Sequence, residues 1–288
     1  MPSLSLANGR VVSTDLPALV MGIVNATPDS FWEGSRSLGG DCADPVARGV
    51  ETALRMAADG ADVIDVGGES TRPGSAYVSE EEELSRVVPL VRAIRKRSDV
   101  AISVDTRKSR VFEAALAEGA DILNDVSALA DDPDMARVAA RAGVPVILMH
   151  KRGTPETMQV NPSYSDPVRE VLEELLARAR FAEESGIARE RIILDPGIGF
   201  GKRYGDNIAI LAGLAEIAGA GYPVLMALSR KSCIGEMTGR EIKDRLAGTL
   251  AANLVAVQRG AFMLRVHDVA ETRDALRVLK EIETRGIH

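Results

Sequence analysis

Eight short and nearly unbroken apolar runs alternate with segments of helical period along this chain, and that alternation leaves few folds open. The runs are ALVMGIV (18–24), DVIDVGG (62–68), AISVDT (101–106), ILNDVSA (122–128), PVILMH (145–150), IILDPGIG (192–199), PVLMALS (223–229) and FMLRVHD (262–268). A strand with one wet face alternates apolar and polar residues. Continuous apolarity bounded by Gly, Pro and Asp is the pattern of a strand buried on both faces. Between the runs lie amphipathic segments. In PVREVLEELLARARFA, the residues Val168, Val171, Leu172, Leu175, Leu176 and Ala179 recur at helical spacing, which turns one stripe to a sheet and leaves Glu and Arg in water.

Strict strand–helix alternation implies a parallel sheet, and eight units over about 250 residues is the size of a (β/α)8 TIM barrel. A doubly wound open sheet is the alternative, weakened because no GxGxxG opens the first helix. The opening LSLANGRVV, with its Asn-Gly turn, predicts a short N-terminal β-hairpin that caps the barrel's N-terminal end. No boundary interrupts the pattern, so residues 1–288 read as one domain.

The net charge of −7 argues against a nucleic-acid or anionic-membrane partner, while local Arg and Lys residues leave an anionic small molecule open. Cys42 and Cys233 are far apart in no metal-type spacing and read as reduced thiols. No secretory leader is evident at the N-terminus, and no apolar run reaches the roughly 18 residues of a membrane span. The expectation is a soluble cytoplasmic protein.

Barrel enzymes carry their chemistry at the C-terminal ends of the strands. In order, those ends hold Asn25; Asp65 and Glu69; Asp105; Asn124 and Asp125; His150; Asp195; Ser229, Arg230 and Lys231; Arg265 and His267. The opposite ends read as bland. Each residue alone has an ordinary explanation: Asp105-Thr106 could cap a helix, Asn124 or Asp195 could shape a turn, and His267 could be a core histidine. A closed barrel, however, gathers all eight ends around one mouth. Strands 8, 1 and 2 become neighbours, so Arg265, His267, Asn25 and Arg72 share one arc that suits a phosphate or pyrophosphate. On the other arc, Asp105, Asn124, Asp195 and Lys231 suit a heterocycle with an amino group beside a ring N–H, which would pair an otherwise costly buried carboxylate.

At this point whole blocks become recognisable. MGIVNATPDSF (21–31), DVGGESTRPG (65–74), SVDT (103–106), NDVS (124–127), LMH…TMQ (148–159), LDPGIGFGK (194–202), SRKSCIG (229–235) and RVHDV (265–269) resemble, in order, the dihydropteroate synthase family. The resemblance spans residues 18 to 280. It implies a TIM barrel that condenses 6-hydroxymethyl-7,8-dihydropterin pyrophosphate with p-aminobenzoate to 7,8-dihydropteroate and pyrophosphate in folate biosynthesis, at a site of the kind sulfonamides occupy. By the same resemblance Asp105, Asn124, Asp195, Lys231 and Arg265 bind the pterin, and Asn25, Arg72, Arg265 and His267 take the pyrophosphate. Mg²⁺ bridges the diphosphate near Asn25. Thr71, Pro73, Phe200, Ser232 and Phe31 form the p-aminobenzoate pocket, and Asp105, Lys231, Arg265 and His267 carry the catalysis. The family also implies a homodimer through late helices.

The chain departs from the family pattern in three places, one of them Cys233, which follows Ser232 and reads as a buried inert thiol. Trp32-Glu33-Gly34-Ser35-Arg36 follows TPDSF where a small polar run is usual, and Ile198 stands where Phe is common. Two rivals accompany the synthase reading. One is a pterin-dependent methyltransferase, against which the SRKS and RVHDV blocks speak. The other is a pterin-binding paralogue with no or altered synthase activity, to which only the changed first loop points.

Overall fold

The computed structural model describes residues 1–26, 44–70, 77–154 and 157–285. The expected hairpin is present: β1 (Ser3–Ser5) pairs antiparallel with β2 (Val11–Ser13), and its Asn-Gly turn is closed by Gly9 N donating to Leu6 O at 3.1 Å. Eight parallel strands follow: β3 (Leu19–Asn25), β4 (Val63–Gly67), β5 (Ala101–Asp105), β6 (Ile122–Asp125), β7 (Val146–Met149), β8 (Ile192–Asp195), β9 (Leu225–Met226) and β10 (Met263–Val266). Their order is β8-β7-β6-β5-β4-β3-β10-β9. A bridge between Leu194 and Val224, with Leu194 N donating to Pro223 O at 2.9 Å, joins the two ends and closes the barrel. Closure excludes the open doubly wound sheet.

The described residues form ten α-helices rather than the eight expected: α1 (Pro45–Ala58), α2 (Glu80–Arg95), α3 (Ser109–Ala117), α4 (Met135–Ala142), α5 (Pro167–Glu184), α6 (Tyr204–Ala212), α7 (Leu214–Ala218), α8 (Ser232–Thr238), α9 (Leu246–Gln258) and α10 (Val269–Arg285). The two extra helices arise where two connections are split, β8 to β9 into α6 and α7 and β9 to β10 into α8 and α9. At Gly213, between α6 and α7, a Cβ would stand 2.7 Å from Val168, so α5 packs where a longer side chain would block it. Helix starts follow the sequence chemistry. Asp44 and Asp166 each cap a helix beginning with Pro, and Ser79 accepts from Glu82 N at 3.2 Å ahead of four glutamates in the first turn. The stripe on α5 packs as its spacing predicts, with Val171, Leu175 and Ala179 fully buried. None of the described helices is long and apolar enough to cross a membrane.

Continuous apolarity resolves into two cores. Val20, Val24, Ile64, Val66, Ile102, Val104, Leu123 and Leu148 face the helices, whereas Leu19, Met21, Val63, Ala101, Ile122, Ile147, Ile193, Leu225 and Met263 fill the barrel interior. Leu4 and Leu6 of the hairpin join the inner set and plug its N-terminal end. That end is not bland, as the sequence reading held. Asp62 accepts from Val20 N at 2.8 Å, and Asp121 accepts from Ile102 N at 3.0 Å while pairing with Arg95 and Arg10 at 2.5 and 2.7 Å. These carboxylates take up backbone donors at strand starts, a stabilising role remote from the mouth.

Leu6→Ala should open a cavity under the barrel and cost about 2–5 kcal/mol, read as a lower urea midpoint with an unchanged m-value.

Candidate active site

The period of two along each strand sets the site. Two or four residues beyond the inner apolar layer, the same inward-facing positions become polar. Val63 leads to Asp65, Ala101 to Ser103 and Asp105, Ile122 to Asn124, Ile193 to Asp195, and Met263 to Arg265 and His267. The barrel thus changes from hydrocarbon to a polar floor within one layer.

Arg265 occupies the centre of that floor. Its Nε donates to Asp65 Oδ2 at 2.6 Å and its Nη2 to Asp105 Oδ2 at 2.8 Å, and Asn124 Nδ2 also donates to Asp65 Oδ2 at 3.2 Å. One guanidinium therefore serves two buried carboxylates. Burial pushes Asp105 up to about 8, opposed by Arg265 and reinforced by Asp65. Asp65 is wholly buried, and its Oδ1 has no hydrogen-bond partner among the described residues. The sequence reading noted Asp65 at a strand end but gave it no role. The signal was a carboxylate at an inward position of an otherwise apolar strand, where only a buried cation makes it tolerable.

Asp195 and Lys231 lie beside this triad. Burial raises Asp195 above the ordinary carboxylate range, and Lys231 opposes the rise. Burial likewise pushes Lys231 down to about 8, with Asp195 working the other way. Lys231 Nζ donates to Ile198 O and stands 4.8 Å from the centre of the Phe200 ring. Ser232 opens α8, so the expected helix N-terminus is in place. On the neighbouring arc, His267 Nδ1 bonds Ser229 Oγ at 2.9 Å, and Arg230 is drawn away by Asp268 at 2.6 and 2.9 Å.

The structure sorts the remaining candidates. Asp125 faces away from the barrel and accepts from Ser127 N, Ser127 Oγ and Leu129 N, shaping a turn. His150 bonds Lys202 and Glu174 rather than reaching the floor. Glu69 pairs with Arg107 and Lys108 at 3.0 and 2.9 Å on the rim. Asp105 is no helix cap: Thr106 Oγ1 turns the chain and Asp132 accepts from Ser109 N at the start of α3. Phe31, Thr71, Arg72, Pro73 and the Trp32–Arg36 run lie outside the described residues.

The expected metal falls on Asn25 at the end of β3. The ideal Cβ position at Gly67 lies 3.6 Å from Asn25 Oδ1 and 3.5 Å from Asp105 Cβ, so glycine leaves a small gap at the mouth between them. Among the described residues no group of three His, Cys, Asp or Glu side chains could cage an ion. A single amide oxygen suits Mg²⁺ in kind, because that ion takes oxygen ligands, retains waters and leans on substrate phosphates.

Asp105 also carries a pH signature. Its folded-state value is above the ordinary 3.8, so the folded chain keeps a proton that the unfolded chain releases. The stability this proton confers is complete below the ordinary value and is lost as pH rises to about 8. Urea denaturation across that range should show a shallower decline for Asp105→Asn than for the parent.

Comparison with known proteins agrees with this geometry. The family profile described as "Pterin binding enzyme" matches residues 21–267. The dihydropteroate synthase of Escherichia coli (strain K12) is 46% identical over 261 residues, spanning 91% of this chain and 90% of that protein. The structure of Xanthomonas albilineans dihydropteroate synthase with 4-aminobenzoic acid aligns at a TM-score of 0.89 and 46% identity, covering 98% of both chains. The same species' enzyme in complex with 7,8-dihydropteroate aligns at 0.86 and 44% identity, covering 98% of this chain and 99% of that one. The chain belongs to the dihydropteroate synthase family of pterin binding enzymes.

Proposed function

We propose that the chain condenses 6-hydroxymethyl-7,8-dihydropterin pyrophosphate with p-aminobenzoate, releasing 7,8-dihydropteroate and pyrophosphate. The observation that carries this reading is the buried Asp65–Arg265–Asp105 triad on the barrel floor, with Asn124, Asp195 and Lys231 beside it. Ring N–H and amino groups of a pterin meet Asp195 and Asn124, and Lys231 donates to the ring carbonyl. The Arg265 guanidinium, held flat by two carboxylates, offers a face on which the ring stacks.

The reaction exchanges one bond at the pterin's methylene carbon. Its C–O bond to the diphosphate breaks and leaves a cation delocalised into the ring; the arylamine nitrogen then attacks that carbon and loses a proton. Asp105 stabilises the cation, and with a folded-state value of about 8 it sits near neutrality, where its charge responds to the bound ring. Lys231 orients the ring through its carbonyl. Asn25, Arg72, Arg265 and His267 receive the departing diphosphate, with Ser229 fixing the His267 ring. Asn25 would hold Mg²⁺, which would supply positive charge against the leaving group. Thr71, Pro73, Phe200 and Phe31 flank the p-aminobenzoate, and Ser232 meets its carboxylate at the start of α8. The reading extends to a cytoplasmic homodimer. The late-helix residues Leu246, Leu250, Leu254 and Val257 are only half-buried, since α9 turns Thr249, Ala252, Asn253 and Ala256 inward.

The test is pyrophosphate release by purified protein given the pterin pyrophosphate, p-aminobenzoate and Mg²⁺. Turnover that requires p-aminobenzoate is the expected result; pterin binding without turnover would make the chain a non-synthase paralogue. Arg265→Ala removes at least one charge-assisted hydrogen bond worth about 1.5–3 kcal/mol, so kcat/KM should fall by at least about tenfold to about 150-fold. His267→Ala should fall toward the lower end, and unchanged turnover in both would remove the diphosphate arc from the mechanism.

A further inference from the structure

The LMH and GFGK blocks contain two buried groups, His150 and Lys202, that the mechanism above does not use. Lys202 follows the loop 196–201, where Gly197, Gly199 and Gly201 have φ of +65°, +85° and +63° and the carbonyls point away from regular structure. Each carbonyl from 197 to 201 is held by a side chain. Lys202 Nζ donates to Gly197 O at 2.9 Å and to Phe200 O at 3.0 Å. Lys231 holds Ile198 O, Gln159 donates to Gly199 O at 2.8 Å, and Tyr164 Oη donates to Gly201 O at 3.0 Å. The half-buried Phe200 ring is thus fixed from beneath its own backbone.

Lys202 is in turn anchored. Its Nζ lies 2.9 Å from His150 Nδ1, and His150 Nε2 lies 2.9 Å from Glu174 Oε2 on α5. A carboxylate only accepts, so the imidazole proton sits on Nε2, donating to Glu174, and Nδ1 of the neutral ring accepts from Lys202. Arg152 closes the chain by pairing with Glu174 and with Glu170 at 2.9 Å. Burial pulls Lys202 down to about 7, against which Asp195 favours the charged form. None of these groups reaches the polar floor directly.

We propose that Lys202, set by His150 and Glu174, is a positioning residue for the aminobenzoate subsite: it holds the Gly197 and Phe200 carbonyls and so fixes the Phe200 ring against the arylamine. The inference rests on the synthase reading above. It assigns the relay to the second substrate, because Lys202's own bonds end on His150 and on the Gly197 and Phe200 carbonyls, and the pterin ligands Asp195 and Lys231 meet the loop separately, at Gly197 N and Ile198 O.

The test separates the two substrates. In Lys202→Met the KM for p-aminobenzoate should rise about ten- to a hundredfold, since displacing a reacting partner by about 1 Å has effects of that size, while the KM for the pterin pyrophosphate stays within about twofold. Glu174→Ala should raise the same KM about two- to tenfold, and Glu174→Gln, which keeps an oxygen for the Nε2–H, should restore most of it. Backbone amides of residues 197–201 should exchange faster in Lys202→Met than in the parent, a readout independent of turnover. An unchanged p-aminobenzoate KM, or an equal rise for both substrates, overturns the proposal. Should Lys202→Met fail to fold, Glu174→Ala with an unchanged p-aminobenzoate KM overturns it equally. Absence of p-aminobenzoate-dependent turnover in the parent would instead overturn the functional reading, leaving amide exchange to judge the clamp.

Discussion

One buried guanidinium facing two carboxylates organises the mouth of this barrel. Asp65, Asp105 and Arg265 come from β4, β5 and β10, and none is tolerable on that floor without the others. Breaking a buried pair by removing one member typically costs about 3–5 kcal/mol, because the survivor stays desolvated. Site assembly therefore depends on the first barrel strand pairing with the last. Arg265 can meet Asp65 only when β10 lies beside β3 and β3 beside β4, an adjacency that an open sheet ending at either strand would not supply.

Much of this was legible in the sequence, and for a definable reason. The alternation of runs and helices is local information, and so is the parity that sends Asp105, Asn124, Asp195 and Arg265 inward; a barrel then brings the strand ends together with no further instruction. The hairpin plug was legible from Asn8-Gly9 in the same way. Illegible were contacts whose meaning depends on a distant partner. Asp65 is read as functional only once Arg265, 200 residues away, is seen to bond it. Asp62 and Asp121 looked unremarkable because their partners are backbone amides of other segments, which no residue pattern announces. The split into α6 and α7 depends on how closely α5 approaches Gly213.

The glycine-rich loop after β8 shows a different limit. Its sequence announces unusual backbone geometry, but not that the carbonyls so exposed are taken up by Lys202, Lys231, Gln159 and Tyr164. Four side chains from three segments convert a flexible composition into a fixed platform. Gln159 and His150 belong to blocks that resemble the family yet touch no proposed substrate atom; here they support the loop that does.

The charges are also distributed in a way that suits the proposed chemistry. The floor holds Asp65, Asp105 and Asp195 against Arg265 and Lys231, one more potential carboxylate than cation. Burial offsets this by drawing Asp105 up to about 8, which favours its neutral form, while Asp195 works against the fall of Lys231 to about 8. A cation forming on the pterin would favour the ionised carboxylates, and the floor's stabilising field would grow with the charge it stabilises. The amide of Asn25 stands level with Asp105 across Gly67, and His267 follows Arg265 on β10's exit, the arc to which the proposed diphosphate is assigned.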